Sequence, residues 1–199
     1  MPAIDDGLPH DYRFFTVATD RRGNVEAAPT GATDDVVLND IVFSPPADLE
    51  VTDFNVQNNL QQRSFINTLT VTFATEAGID DLITNAANRI GLFNTGLNGS
   101  GNTAIDLSSA TFIRNGRSLT INLGATGLTT DGFHELRLDL TGDGTFDSVQ
   151  SFHRLQGDSD GDGDVDITDL RRIRRSLIFR DNNPNSDVTG DGQVNILDL

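Results

Sequence analysis

The chain contains no cysteine and no lysine. The missing cysteines exclude disulfide scaffolds, thiolate zinc sites, iron–sulfur clusters and cysteine nucleophiles together. They leave the redox compartment open, because secreted bacterial proteins without cysteine are common. Basic charge is also scarce: 14 arginines stand against 30 acidic side chains over 199 residues, a net charge of −16. Such a chain is repelled by phosphate backbones and anionic lipid, so nucleic acid and membrane insertion are excluded as partners. No apolar run approaches the ~20 residues needed to span a bilayer. The carboxylate excess points either to a solvated acidic surface or to hard cations held by oxygen. Met1 to His10 has neither a basic start nor an apolar stretch. No export signal is therefore read there, and the chain is either cytoplasmic or the tail of something longer.

Three textures follow one another. Residues 1–40 read as the remnant of a preceding β domain plus a linker. Tyr12–Thr19 alternates as a strand, Asp20-Arg21-Arg22-Gly23-Asn24 is turn chemistry, Val25–Ala28 can pair back, and 28–36 is linker. Residues 41–155 read as short strands separated by turns, the pattern of a mainly β chain folded as a sandwich. Leu49–Val56 is one strand. Ser64–Phe73 is the clearest, with Phe65, Leu69, Val71 and Phe73 on one face and Ile66, Thr68, Thr70 and Thr72 on the other. Arg89–Phe93 and Thr103–Leu107 are weaker strands, and Gly78–Ala87 holds a short helix. Ala110–Leu123 is a hairpin about Asn115-Gly116, which predicts the pairs Arg114/Arg117, Phe112/Leu119 and Ala110/Ile121. Phe133–Leu140 and Thr145–Phe152 pair around Gly142-Asp143-Gly144. Residues 158–199 differ again: ten acidic and five basic residues, no strand pattern, and one helix over Asp169–Phe179.

That last region carries the chemistry. Asp158 to Asp169 fits the twelve-residue calcium loop, with Asp158, Asp160 and Asp162 at positions one, three and five. Gly163 allows the sharp turn at six. Asp164 offers its carbonyl at seven, Asp166 a carboxylate or bridging water at nine, and Asp169 closes the loop at twelve. A hard, large ion that takes six to eight oxygens needs this spacing, and without it the crowded carboxylates repel one another. The pattern recurs in Asp187 to Asp198, with Asp187, Thr189, Asp191, the Gln193 carbonyl, Asn195 and Asp198 at the same positions. Two loops matching at every ligand position with a helix between them make Ca2+ the expected cofactor.

With Asp rather than Glu at position twelve, about thirty residues between loops, and no helix before the first, residues 158–199 resemble a type I dockerin module. The resemblance implies a calcium-dependent adhesion module of secreted polysaccharide-degrading proteins that docks onto a cohesin-like partner. Positions ten and eleven, Ile167-Thr168 and Ile196-Leu197, are more apolar than the Ser-Thr pairs usual in cellulosomal dockerins. The second loop is followed only by Leu199, so the helix that should follow it is absent and the second half of the module reads as truncated. Tyr12 to Glu26 resembles the closing strands of a fibronectin type III-like or Ig-like domain. Gln62 to Phe73 resembles the β modules of large planctomycete surface proteins. Both favour a secreted or cell-surface fragment with its export signal upstream.

The rest of the sequence offers less. Asp139 to Asp147 mimics the first nine positions of a calcium loop, but position twelve would be Gln150, and a hairpin turn is the preferred reading. His10, His134 and His153 lack zinc-ligand spacing. There is no nucleophile elbow and no phosphate cradle, and the clustered carboxylates are committed to the loops, so no enzyme is expected. The Arg171–Arg175 cluster reads as a solvated helix face. The expected fold is thus an Ig-like β-sandwich followed by a small α, EF-hand-like calcium-loop module. It serves adhesion or anchoring, in a carbohydrate or cell-surface context. The alternatives are a calcium-stiffened spacer, or a fragment of a glycoside hydrolase whose catalytic domain lies elsewhere.

Overall fold

The structure is a computed structural model, and it describes residues 49–199 together with two short strands nearer the N-terminus. Those strands, β1 (Tyr12–Arg13) and β2 (Val37–Leu38), pair antiparallel with Tyr12 opposite Leu38, inside a unit spanning Met1–Ala47. The remainder of the hairpin expected over 12–28, and the linker at 28–36, lie outside the described residues. Asp48–Leu199 forms a second compact unit, which includes both the β-rich region and the acidic tail.

The second unit is mainly β and holds two four-stranded antiparallel sheets. One has the order β3-β4-β8-β7, built from β3 (Val51–Val56), β4 (Thr68–Phe73), β7 (Thr111–Asn115) and β8 (Ser118–Asn122). The other has the order β10-β9-β5-β6, from β5 (Ile90–Gly96), β6 (Thr103–Ile105), β9 (Gly132–Leu138) and β10 (Ser148–Arg154). The period-two pattern decides which side of each strand is dry. Leu69, Val71 and Phe73 of β4 and Leu119 and Ile121 of β8 have no solvent exposure, and they meet Leu92, Leu136 and Leu138 of the other sheet in one core. On the opposite face of β4 and β8 the side chains are hydroxyls, and Thr70–Thr120 and Thr72–Ser118 hydrogen-bond across the strands at 3.3 and 3.0 Å. Two short helices, α1 (Ile79–Thr84) and α2 (Ala86–Arg89), follow β4, in the region where the sequence predicts one.

Two expectations are corrected. The hairpin closes with Asn115 opposite Ser118, Arg114 opposite Leu119 and Phe112 opposite Ile121, two residues away from the predicted register. Of the turn residues, Gly116 alone takes positive φ, at 57°, so glycine stands in the first central position rather than the second. A two-residue slip leaves every side chain on its original face, which is why the predicted burial of Leu119 and Ile121 survives it.

The second correction concerns Ser64–Asn67, which is not strand. Three of its four amides are taken by side chains instead of by a neighbouring strand. Gln62 Oε1 accepts from the Ser64 and Phe65 amides, both at 2.9 Å, and Gln57 Oε1 accepts from the Asn67 amide at 2.8 Å. Phe65 therefore leaves the sandwich core, and Ile66 is the fully buried residue there.

Candidate metal centre

The chain leaves β10 at Arg154 and enters the first acidic loop within four residues. That loop ends on helix α3 (Ile167–Phe179), two residues longer at its start than the predicted helix. Asp166 is its N-cap: Oδ1 accepts from the Thr168 amide at 2.6 Å, while Asp169, three residues on, accepts from the Asp166 amide through Oδ2 at 2.9 Å. This reciprocal box, with two carboxylates at the positive end of the helix, explains why the segment starts a helix there. Ile173 is buried on the inner stripe, while Arg171, Arg174 and Arg175 lie exposed.

Inside the loop the carboxylates organise the backbone. Asp158 has no solvent exposure and accepts from the Gly161 amide (2.6 Å) and the Gly163 amide (3.1 Å) on its two oxygens. Asp169 accepts from the Ser159 amide at 2.7 Å through its other oxygen, and Asp162 from the Asp164 amide at 3.1 Å. The second loop repeats this position by position. Asp187 accepts from Gly190 and Gly192, both at 2.8 Å, and Asp191 from Gln193 at 2.8 Å. Asp198 accepts from Thr189 at 3.1 Å and from Asn195 at 2.8 Å. Asn195 caps a single turn, Ile196–Asp198, as Asp166 caps α3. In this loop one cap donor also reaches inward, the Asn195 side-chain amide donating to Asp191 at 3.0 Å.

Carboxylate oxygens of Asp158, Asp160 and Asp162 lie within 4.8 Å of one another, and so do those of Asp164, Asp166 and Asp169. The second trio differs from the sequence reading, which uses Asp164 through its carbonyl alone. The energetics show in individual groups. Burial, followed by the charges of Asp162 and Asp169, raises the pKa of Asp160. Asp162, ahead of burial and the other loop carboxylates, raises that of Asp164. Burial also pushes Asp169 upward, but the donors from Asp166, Ser159 and Asp160 outweigh it and its pKa is lowered. One oxygen of Asp160 is buried with no hydrogen-bond donor. An orphaned anionic oxygen among like charges is a group that a cation would satisfy, and the all-oxygen donor set suits a hard one. Asp158, Asp160, Asp162, Asp166 and Asp169 would hold it, with Asp187, Thr189, Asp191, Asn195 and Asp198 in the corresponding places of the second loop.

Two features were not legible beforehand. His153, whose spacing suits no zinc site, stands 2.9 Å from Asp158 through Nε2. Only its five-residue distance from the loop start hinted at this. The loop Asp139–Asp147 joins β9 to β10 as the expected hairpin connection, yet it uses the same backbone solution. Asp139 accepts from Gly142 (2.6 Å) and Gly144 (2.9 Å), and Asp143 from Thr145 (2.8 Å). Asp147 closes it, accepting from the Leu140 and Thr141 amides at 2.9 and 3.0 Å. The closing carboxylate thus comes from position nine, not from Gln150.

Residues 156–199 match the family model of the dockerin type I domain. The match covers the C-terminal segment where the sequence resembles that family, and it includes both loops and α3. No curated protein and no solved structure matches the chain.

Proposed function

We propose that residues 158–199 are a non-catalytic, calcium-binding adhesion module, carried behind an Ig-like β-sandwich (41–155) of a secreted or cell-surface protein. Residues 1–40 then belong to a preceding β domain and its linker. The observation that carries this reading is the repetition of one amide-to-carboxylate pattern in both loops, with a buried Asp160 oxygen left without a donor. The ligands are Asp158, Asp160, Asp162, Asp164, Asp166 and Asp169 in the first loop. In the second they are Asp187, Thr189, Asp191, Gln193, Asn195 and Asp198. The dockerin match supports the same reading and a cohesin-like protein as the partner.

The partner surface is the outward side of the calcium module. Ile167, Thr168, Arg171 and Arg175 are all exposed, and Ile196 and Leu197, the equivalents of Ile167 and Thr168 in the second loop, are exposed by more than two thirds. A contact centred on these aliphatic groups buries apolar area that the free chain leaves in water.

Calorimetric titration of the chelated chain tests the metal reading. Two ions should bind with affinities between roughly micromolar and millimolar, as in sensor and extracellular sites. Absence of calcium heat would overturn it. Capture on an immobilised cohesin tests the partner: Arg171→Glu with Arg175→Glu should abolish capture while leaving calcium uptake intact. A second reading, a calcium-stiffened spacer, is favoured by the contacts between the tail and the sandwich. Calcium uptake without capture on any cohesin would select it.

A further inference from the structure

The segment Gln61–Phe65 lies between β3 and β4 and belongs to the β-sandwich by sequence, yet its hydrogen bonds beyond its own neighbourhood run to the acidic tail and its approach. Arg63 pairs through its backbone with the approach to the first loop, its amide donating to the Asp158 carbonyl at 2.9 Å and its carbonyl accepting from Leu155 at 3.0 Å. Ser64 is fully buried, and its hydroxyl links the residue just before the first loop to the second loop: it accepts from the Gly157 amide at 2.9 Å and donates to the Val188 carbonyl at 2.8 Å. The Gln61 amide donates to Asn185 Oδ1 at 2.7 Å, and Arg172 of α3 donates to Gln61 Oε1 at 2.9 Å and to the Ser159 carbonyl at 3.3 Å.

The fourth position of each loop touches the same segment. A Cβ on Gly161 would collide with the Gln61 carbonyl oxygen, and a Cβ on Gly190 with the Phe65 ring. The segment is also held in shape before it meets the loops. Gln62 is 1% exposed and folds back on the Ser64 and Phe65 amides, and Arg63 donates to the carbonyls of Gln61 (3.1 Å) and Gln62 (2.9 Å). Three successive left-handed residues, Gln57, Asn58 and Asn59, lead into it. Such a run is costly for residues other than glycine and persists only where its surroundings fix it.

We propose that Gln61–Phe65 is a docking surface for the calcium module, through which filling of one calcium loop strengthens the other and both stabilise the sandwich. This rests on the calcium reading above. The physical argument is linkage. Ordering positions one to four of either loop completes contacts with the segment, and a segment already ordered lowers the cost of docking the other loop. Because Ser64–Asn67 runs directly into β4, anything that binds only the docked form also stabilises that strand.

The test is calcium titration of the full chain, with melting of the sandwich followed in calcium and in chelator. Ser64→Ala removes no proposed ligand, yet it should weaken binding at both loops by roughly three- to tenfold, the worth of a buried hydrogen-bonded hydroxyl. Gly190→Ala and Gly192→Ala form a matched pair. Both place a side chain at positive φ (75° and 84°), but a Cβ at 192 meets nothing within 4 Å. Gly190→Ala should therefore weaken the first loop as well as its own, and Gly192→Ala its own alone. The unaltered sandwich should melt at a higher temperature with calcium than with chelator. Calcium binding that is unchanged at the first loop in both Ser64→Ala and Gly190→Ala, with a melting point indifferent to chelator, would overturn the proposal while leaving the calcium reading intact. Absence of calcium heat in the unaltered chain would overturn both. Should Ser64→Ala fail to fold, the glycine pair decides alone.

Discussion

His134 lies between the sheets with no exposure, stacked on Phe152 at 5.4 Å between ring centroids. Its Nδ1 donates to the Gly132 carbonyl and its Nε2 accepts from the Asn94 amide, each at 3.0 Å, an arrangement made for the neutral ring. Burial lowers its pKa first; the Gly132 carbonyl and Asp131 oppose this, and Arg154 and His153 add to it. A histidine whose folded pKa lies below its unfolded value stabilises fully above the unfolded pKa of about 6.5, and that share is lost as pH falls through it towards the folded value. Denaturant unfolding across pH 8 to 5 should therefore show a fall that His134→Gln flattens; parallel profiles for the two proteins would refute this. Phe73 makes the complementary point for packing. It has no exposure, and Phe73→Ala should cost about 3–5 kcal/mol, as transfer and cavity terms combine. An unchanged melting temperature would mean that the strand phase is wrong.

Among the elements, α3 is the one whose formation is tied to charge. Its N-cap Asp166 and its first-turn Asp169 are also proposed ligands, so the cap and the metal site are one structure. Chelation should release helix signal in the far ultraviolet, and Asp166→Ala should cost about 1 kcal/mol of stability even in excess calcium, from the lost cap. A helix signal indifferent to chelator would count against the shared role. The β elements were readable where one force acted alone. Leu69 to Phe73 alternate because one face is dry, and the hairpin is visible in Asn115-Gly116. Its register was misread because both residues of that pair accept positive φ, and only the folded strands choose between them. Ser64–Asn67 was misread as strand because its ladder partners are the side chains of Gln62 and Gln57, and no periodicity reports a side chain folding back on amides nearby. In the tail, the repeat of the loop was legible because the spacing of its oxygen-bearing side chains is written in sequence. The contact of Phe65 with Gly190 was not, since the two are far apart along the chain.

For the whole molecule, charge sets the order of events. A chain at −16 gathers much of its repulsion in one loop, where Asp160 and Asp164 both have raised pKa values. The first loop should bind calcium more tightly than the second, which replaces carboxylates with Thr189 and Asn195 and turns the Asn195 amide towards Asp191. Calorimetry should resolve two unequal sites. Magnesium should compete poorly at both, because it demands a smaller octahedron and sheds water reluctantly. Equal affinities, or magnesium heat matching that of calcium, would contradict the assignment of ligands.

The Gln61–Phe65 contact has a mechanical meaning as well. A pull on the C-terminus enters the sandwich through β10, an edge strand paired only to β9 within its sheet, which by itself would peel away pair by pair. The links from Ser64 to Val188 and from Gln61 to Asn185 lead part of the same load into β4, which is gripped on both sides by β3 and β8. Tension is then shared between an edge that unzips and a centre that must be sheared, and the shared path lasts as long as the loops keep their shape. Single-molecule extension should show a higher rupture force in calcium than in chelator. The dissolved ion would then set the tensile strength of the tether.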